Sequence, residues 1–379
     1  MRKLYFLSLL LLVLFASFPV HAQFVIQKNE NELGISGLIT TYYNYNALKP
    51  GETDHKKNTL NLRDAQLCME GKYKKKYEFK LQVDFANLAA NSTDPETPGF
   101  MDAYMIYRGL RFMDIKLGYQ KLPFSRGSLV SFAYSPFYHR AEIARGNYFS
   151  QRDLGLTLRK DIVDEKVRIF AGIYSGMGEE VLITPNDRSG KLEYLGRIEF
   201  NSEAGMKYRD LDLEHSDKLQ YSIGAGARYA EKAAYAGNDY MIKTVNGKKQ
   251  TLGLDFFAMY KGFSFTWETD QVTIAPNTPE RLMNLGSSYF RSGGWYSQLN
   301  YYFIKLNAAL SARYELSNWN DLVKGYTRMY TLGYSLLLKK YDSVIKLNYT
   351  RLLEEEIVPN VDPKTWNWQM QLGWQFMFN

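Results

Sequence analysis

Basic side chains are concentrated in one stretch of this sequence, residues 121–152. Within that stretch they are opposed by Glu142 alone, and Asp153 follows directly after it. The basic residues are Lys121, Arg126, Arg140, Arg145 and Arg152. Charges interact more strongly where water is scarce, because the dielectric constant is lower there. If this stretch narrows a water-filled passage, we therefore expect the basic residues to select small anions.

The residues that catalysis or metal binding would need are scarce. The only cysteine is Cys68, and the four histidines are His21, His55, His139 and His215. A single thiol cannot form an internal disulfide or a thiolate metal cluster. No histidine has a nucleophile at a spacing typical of a hydrolase. We therefore predict no catalytic residue, no metal site and no cofactor.

The elements that must position the basic residues show a period of two. The C-terminal segment shows it most clearly, because apolar residues at every second position alternate with mainly polar ones. They are Trp366, Trp368, Met370, Leu372, Trp374, Phe376 and Phe378. Such alternation places all the apolar side chains on one face of a strand. About 9–11 residues of tilted strand cross a bilayer, and this segment is longer than that.

The same alternation predicts about 16 strands of the kind found in outer-membrane barrels. They are placed near 33–46, 58–73, 76–87, 101–108, 111–120, 153–160, 166–175, 192–201, 218–230, 249–260, 263–272, 293–302, 305–315, 327–339, 343–352 and 366–378. A change of parity between Leu62 and Ala65 predicts a β-bulge. The connections alternate between short and long, as in a barrel with short periplasmic turns and longer external loops. The segment 202–217 is an exception, because it is long where a short turn is expected. The predicted fold class is all-β, a closed antiparallel transmembrane β-barrel with its third loop folded inward.

The first 22 residues have the pattern of a signal peptide. Arg2 and Lys3 precede an apolar run at 4–18, and Val20 and Ala22 suit signal peptidase at positions −3 and −1. An N-terminal anchor is the alternative, but the run is short for a membrane span. We therefore assign 1–22 to a signal peptide and 23–379 to an outer-membrane barrel, whose partner is the outer-membrane lipid.

Aromatic residues are abundant, with 30 Tyr, 22 Phe and 6 Trp. One set is expected in girdles at the membrane interface, where a ring with a polar tip is stabilised. Tyr77, Tyr229, Tyr314 and Trp366 are assigned to it. A second set lies within 121–152, which is longer than most loops that have no function. We expect that loop to fold onto the inner wall of the barrel and to constrict it.

Parity also predicts which charged residues face the lumen. The predicted basic residues are Lys80, Lys116, Arg159, Arg168, Arg197, Arg228, Arg313 and Lys346. The predicted acidic residues are Asp84, Asp102, Glu199, Asp255, Glu268, Asp270 and Glu315. The wall is thus nearly balanced, and the bias of the 121–152 loop should decide ion preference. The alternative to a role in ion selection is a structural role, in which an arginine pairs with a carboxylate and only stiffens the barrel. Asp153 is a candidate partner of this kind for Arg152.

The order of several short motifs resembles that of the phosphate-selective porin O and P family. The motifs are Gly118-Tyr119-Gln120-Lys121-Leu122-Pro123-Phe124, then the long loop, then Arg152-Asp153-Leu154-Gly155-Leu156, with Asp102-Ala103-Tyr104 before them and Gly172-Ile173-Tyr174-Ser175-Gly176 and Gly196-Arg197-Ile198-Glu199-Phe200-Asn201 after them. Ser202 stands where the family often has proline. The resemblance is closest over 100–201 and implies a sixteen-stranded, usually trimeric diffusion channel narrowed by its third loop.

The expected function is passive diffusion of small hydrophilic solutes, in particular anions such as phosphate, through a homotrimeric porin that is not an enzyme and binds no nucleic acid. A structural or adhesive barrel without a general pore is the main alternative. A barrel enzyme is disfavoured because no histidine has a suitable nucleophile. Energy-coupled uptake would need a plug domain, and the first strand is expected near Leu33.

Overall fold

The computed structural model describes residues 24–89, 98–146, 148–183, 185–233, 246–283, 286–357 and 363–378. In this part of the chain, seventeen strands form one antiparallel sheet. Sixteen of them, β2 to β17, each pair with their chain neighbours, and β17 pairs with β2 to close the ring. The predicted closed barrel is therefore confirmed. The predicted signal peptide at 1–22 lies outside the described residues.

The strands are β1 (Phe24–Lys28), β2 (Asn31–Leu48), β3 (Asn58–Tyr73), β4 (Tyr77–Asp84), β5 (Phe100–Tyr107), β6 (Asp114–Lys121), β7 (Arg152–Ile162), β8 (Val167–Tyr174), β9 (Glu193–Asn201), β10 (Gln220–Ala233), β11 (Asn246–Tyr260), β12 (Phe263–Pro276), β13 (Phe290–Phe303), β14 (Ala308–Asn318), β15 (Thr327–Tyr341), β16 (Ser343–Glu354) and β17 (Trp366–Phe378). Short helices cover Phe85–Ala89, Arg126–Leu129 and Glu280–Met283, and 3₁₀ turns cover Asp54–Lys56, Phe132–Tyr134, Glu142–Ala144, Gly178–Leu182 and Ile304–Leu306. No helix in the described ranges is long and apolar enough to cross a membrane.

The sheet reverses the usual distribution of polar and apolar side chains. In β11, Leu252 and Leu254 are 63% and 52% exposed, whereas Thr251 and Asp255 are 1% and 2% exposed. Successive strand residues point to opposite faces, so one face of the ring is apolar and the other is polar and enclosed. This is the arrangement of a barrel with lipid outside and a polar interior.

The connections differ between the two ends of the barrel. At one end, which we call the short-turn end, β11 and β12 are joined by only 261–262 and β15 and β16 by 342. At the other, the long-loop end, β6 and β7 are joined by 122–151. The connection 202–219 between β9 and β10 is long although it lies at the short-turn end. The predicted sorting and its one exception are both confirmed.

Two local expectations meet different outcomes. The predicted bulge is confirmed, because Thr40 pairs with Asp64 and Thr41 pairs with Leu62, which leaves Arg63 as the extra residue. The assignment of Trp366 to the lipid-facing girdle is wrong. A register shift between Trp366 and Trp368 breaks the alternation of β17, and Trp366 lines a cavity inside the barrel.

The N-terminal strand β1 was not predicted. It pairs with the first residues of β2, from Phe24 against Ile35 to Lys28 against Asn31. Asn29 adopts a φ of 57° in the tight turn between them, a conformation that asparagine tolerates better than most residues. Five residues are too few to show a clear alternation, which is why the sequence pattern did not reveal this strand.

Candidate channel constriction

The segment between β6 and β7 begins by docking on acidic residues of the barrel wall. Ser125 caps the short helix Arg126–Leu129 by accepting a hydrogen bond from Ser128 N–H. The backbone N–H of Arg126 donates to Asp255 at 3.2 Å, and that of Gly127 donates to Glu268 at 2.6 Å. The first N–H groups of a helix have no partner within it. The two wall carboxylates satisfy them and hold this end of the segment against β11 and β12.

A glycine in the wall permits this close approach. The carbonyl oxygen of Phe124 lies 2.2 Å from where a Cβ atom of Gly226 would stand. Any larger residue at 226 would collide with the backbone of the segment. The fit therefore depends on the absence of a side chain in β10.

The middle of the segment contacts a different part of the wall. Tyr138 N–H donates to the side-chain oxygen of Asn348 at 2.9 Å, and its hydroxyl donates to Lys346 O at 3.1 Å. Glu142 N–H donates to Glu315 at 2.6 Å. These partners lie on β14 and β16, whereas the first contacts lie on β11 and β12. The segment is thus bound to the polar face of two separate groups of strands.

Aromatic residues of the segment form its core with the wall. Phe124, Tyr148 and Phe149 are fully buried in a cluster with Val272 and Phe290. The Tyr148 ring stacks on Trp319 with centroids 4.7 Å apart, and burial raises the pKa of its hydroxyl well above the ordinary value. This packing holds the segment as a folded unit.

Of the five basic residues of the segment, Arg126, Arg140 and Arg152 are buried and bonded to protein groups. Arg126 donates to Arg209 O at 2.9 Å and lies 3.7 Å from the Phe257 ring centroid, and burial lowers its pKa. Arg140 donates to two carbonyl groups within the segment, and Arg152 donates to Asp102 at 3.3 Å.

Arg152 therefore pairs with Asp102. Its partner is not the neighbouring Asp153, which was the candidate that the sequence offered. The carboxylate of Asp153 instead accepts hydrogen bonds from Ser175 Oγ at 2.5 Å and Gly176 N–H at 2.7 Å. Arg145 lies 3.5 Å from the His139 ring nitrogen, and Lys121 donates to Leu129 O at 3.4 Å.

Most of the basic wall residues also have acidic partners. The ion pairs join Arg159 to Asp161, Arg168 to Glu199, Arg197 to Asp255 and Glu199, Arg228 to Glu193, Arg313 to Glu315, and Lys80 to Glu70. Lys346 donates to Gln375 at 2.9 Å and to Phe132 O at 3.3 Å. Lys116 differs, because its ammonium group lies 3.7 Å above the Tyr104 ring. Arg159–Asp161, Arg197–Glu199 and Arg313–Glu315 join residues two positions apart on one face of a strand. The pairs of Arg168 with Glu199, Arg197 with Asp255 and Arg228 with Glu193 join distant parts of the chain, and no spacing in the sequence indicated them.

Two cavities flank the segment. The inner cavity, of about 530 Å³, lies mainly along β2–β8 at the short-turn end. The outer cavity, of about 250 Å³, lies at the long-loop end along β14–β17. Seven basic residues line the inner cavity, against three acidic ones. The basic residues are Lys80, Arg108, Lys116, Lys121, Arg152, Arg159 and Arg168, and the acidic ones are Glu70, Asp102 and Asp114. Arg140, Arg145, Arg313 and Lys364 line the outer cavity with Glu142 and Glu315.

Comparison with known proteins gives a family and a fold. The family model of the phosphate-selective porins O and P matches residues 40–334. An anion-selective porin from Comamonas acidovorans aligns at 11% identity over 92% of this chain and 100% of its own, with a TM-score of 0.58. The outer-membrane channel DcaP of Acinetobacter baumannii aligns at 12% identity over 93% and 99%, with a TM-score of 0.58. OmpT of Vibrio cholerae aligns at 10% identity over 94% and 100%, with a TM-score of 0.60.

At these identities the solved structures show the shared fold alone. No curated protein matches the chain. The family model is stronger evidence, because it spans most of the sequence and includes every motif from Asp102 to Asn201 on which the resemblance rests. The chain is a pore-forming barrel of the outer membrane and belongs to the phosphate-selective porin O and P family.

Proposed function

We propose that this porin prefers small anions such as phosphate, and that its 121–152 loop is the constriction that they pass. The excess of basic residues lining the inner cavity is the observation that carries this proposal. Lys116 and Lys121 contribute most, because within the described residues neither forms an ion pair. Neither ammonium group is bonded to a carboxylate, although Asp102 lines the same cavity, and we propose that both attract a passing anion.

The basic residues that form ion pairs with carboxylates have a different role. An arginine bonded to a carboxylate presents little net charge to the lumen, but it fixes the position of its neighbours. Arg197 lies at the centre of such a group and also donates to Phe124 O at 3.0 Å, so that it ties the loop to β9. A fixed, narrow passage brings solutes close to the unpaired lysines, and proximity strengthens their attraction. Several weak sites in series favour conduction, because an ion must also leave.

The assembly is proposed to be a homotrimer in outer-membrane lipid, exported by a signal peptide at 1–22 and without enzymatic activity. One solved relative, OmpT of Vibrio cholerae, is described as a trimer form. Three consecutive strands, β4 to β6, have only eight residues each, whereas β10 to β13 have fourteen or fifteen. The apolar face of the short strands, with Phe79, Leu81 and Met105 exposed, is a suitable surface for contact between subunits.

Ion selectivity tests this function directly. In a planar bilayer with a tenfold KCl gradient, the reversal potential should have the sign of a chloride-selective channel, because the lining of the inner cavity is predominantly basic. A potential of cation-selective sign would contradict the proposal. Absence of conductance from correctly folded protein would favour the structural or adhesive barrel.

Substitution of Arg140 by lysine should separate the effect of its hydrogen-bond geometry from the effect of its charge. Arg140 donates to Gly127 O at 3.1 Å and to Val130 O at 2.7 Å, and a lysine cannot reproduce this planar, two-pronged donation. Hydrogen bonds from charged groups are worth about 1.5–3 kcal/mol, so the loop should loosen. We expect Arg140→Lys to increase open-channel current noise while the reversal potential is kept.

Arg328→Lys is the control for this substitution, because Arg328 pairs with Glu354 at 3.1 Å at a site where both side chains are more than 40% exposed. It should leave the noise close to that of the wild type. Equal noise in the two variants would show that the bonds of Arg140 do not hold the loop.

A further inference from the structure

The connection 202–219 is buried in its middle, at 210–213, unlike an ordinary periplasmic turn. Leu211 and Leu213 are 2% and 8% exposed, and Asp212 is fully buried. The Asp212 carboxylate accepts hydrogen bonds from Gly262 N–H and Ser216 N–H, both at 2.9 Å. These contacts tie the segment to the turn between β11 and β12, so it does not hang freely below the barrel.

The barrel wall is adapted to this segment. Along the polar face, a patch near the short-turn end of β13–β16 is apolar, and it consists of Tyr302, Ala309, Leu337 and Val344. Leu211 and Leu213 pack on this patch. Beside it, Asp210 O accepts hydrogen bonds from the Asn300 amide at 3.2 Å and from the Ser264 hydroxyl. Apolar side chains facing the lumen would be unfavourable in contact with water, so the patch and the segment are complementary.

The segment also contacts the constriction loop. Asp210 N–H donates to Tyr134 O at 3.2 Å, and Arg126 donates to Lys207 O at 3.4 Å and Arg209 O at 2.9 Å. Tyr208 lines the inner cavity and donates to Glu199 at 2.9 Å. The two segments, which enter from opposite ends of the barrel, therefore pack against each other inside it.

We propose that 202–219 is a second constriction, which closes the β12–β16 side of the periplasmic mouth and leaves the inner cavity along β2–β8 as the exit. The proposal rests on the proposed function, because it concerns the path of the same small anions. Every solute that leaves must then pass Lys116 on the open side. The segment acts as a specificity-determining element by excluding a route that avoids this lysine.

Replacement of 203–220 by Asn-Gly tests the proposal. Ser202 N–H already donates to Tyr221 O at 2.8 Å, so a two-residue turn of the hairpin type can join β9 to β10. In KCl, we expect the single-channel conductance to rise about twofold, because a larger cross-section carries more ions, and the chloride preference to fall. Unchanged conductance and selectivity in a folded channel would overturn the proposal.

A milder variant covers the case in which the shortened chain fails to fold. Leu211→Ser combined with Leu213→Ser should release the segment from its apolar patch and change conductance and selectivity in the same direction. Leu219→Ser is the control, because Leu219 belongs to the same connection but is 58% exposed. Equal behaviour of the double variant and this control would overturn the second constriction.

The two proposals can fail separately. A wild-type channel without anion preference contradicts the proposed function, whereas a rise in conductance of the variants still supports the second constriction. An anion-selective wild type whose variants conduct as it does overturns only the second constriction.

Discussion

Replacement of both Lys116 and Lys121 by glutamate should abolish the anion preference of the channel. The two substitutions change the lining of the inner cavity from seven basic and three acidic residues to five of each. A unit charge about 8 Å from a passing ion contributes about 2 kcal/mol at an effective dielectric constant of about 20. The permeability ratio of chloride to potassium should therefore fall at least about tenfold, since about 1.4 kcal/mol corresponds to a factor of ten. The reversal potential in a KCl gradient measures this ratio.

Lys261→Glu combined with Lys305→Glu is the matched control for this experiment, because it changes the net charge by the same amount. The two residues lie in the exposed turns between β11 and β12 and between β13 and β14, and neither lines either cavity. This double substitution should leave the ratio almost unchanged, because exposed charges are screened by salt within about 10 Å at an ionic strength of about 0.1 M. An equal effect of both changes would mean that net charge determines the preference and that the inner cavity has no special part.

The barrel could be predicted because the lipid outside it and the water inside it each favour a different kind of side chain. Lipid outside and water inside impose a strict period of two, and that period survives over most of each strand. The bulge at Arg63 was visible for the same reason, because an extra residue shifts the parity of Leu62 against Ala65. The shift at Trp366 was missed because an aromatic residue fits either face.

Several partners of the basic residues could not be predicted, because they lie in distant parts of the chain, unlike the carboxylate of Glu315, which is two positions from Arg313 on the same strand. Arg126 is bonded to Arg209 O, and Arg197 to Asp255, and neither pair shares a local pattern. Only the length of 202–217 indicated that this segment has a role of its own, and nothing indicated its contact with the 121–152 loop. The apolar patch on the wall that contacts this segment could not be recognised either. Its residue Leu337 faces the lumen, but it stands in the run Leu336-Leu337-Leu338, which has the composition of a lipid-facing segment.

Substitution of Arg197 by alanine should strongly destabilise the barrel. The Arg197 side chain is fully buried and is bonded to Asp255 at 2.5 and 2.9 Å and to Glu199 at 2.9 Å. Removal of one partner of a buried pair costs about 3–5 kcal/mol, because it leaves an uncompensated charge. Here two carboxylates lose the same partner. Urea unfolding followed by tryptophan fluorescence should show the loss in the free energy of unfolding.

Arg328→Ala separates this effect from the general loss of an arginine. Arg328 pairs with Glu354 at 3.1 Å, but both side chains are more than 40% exposed, and exposed pairs are typically worth about 0–1 kcal/mol. Asp255 also accepts a hydrogen bond from the N–H of Arg126, near the start of the 121–152 loop. Arg197→Ala should therefore loosen the loop and increase current noise, whereas Arg328→Ala should do neither. Similar stability and noise in the two variants would show that the ion pairs of Arg197 do not hold the loop, and that its other contacts, such as the buried cluster of Phe124 and Phe149, are sufficient.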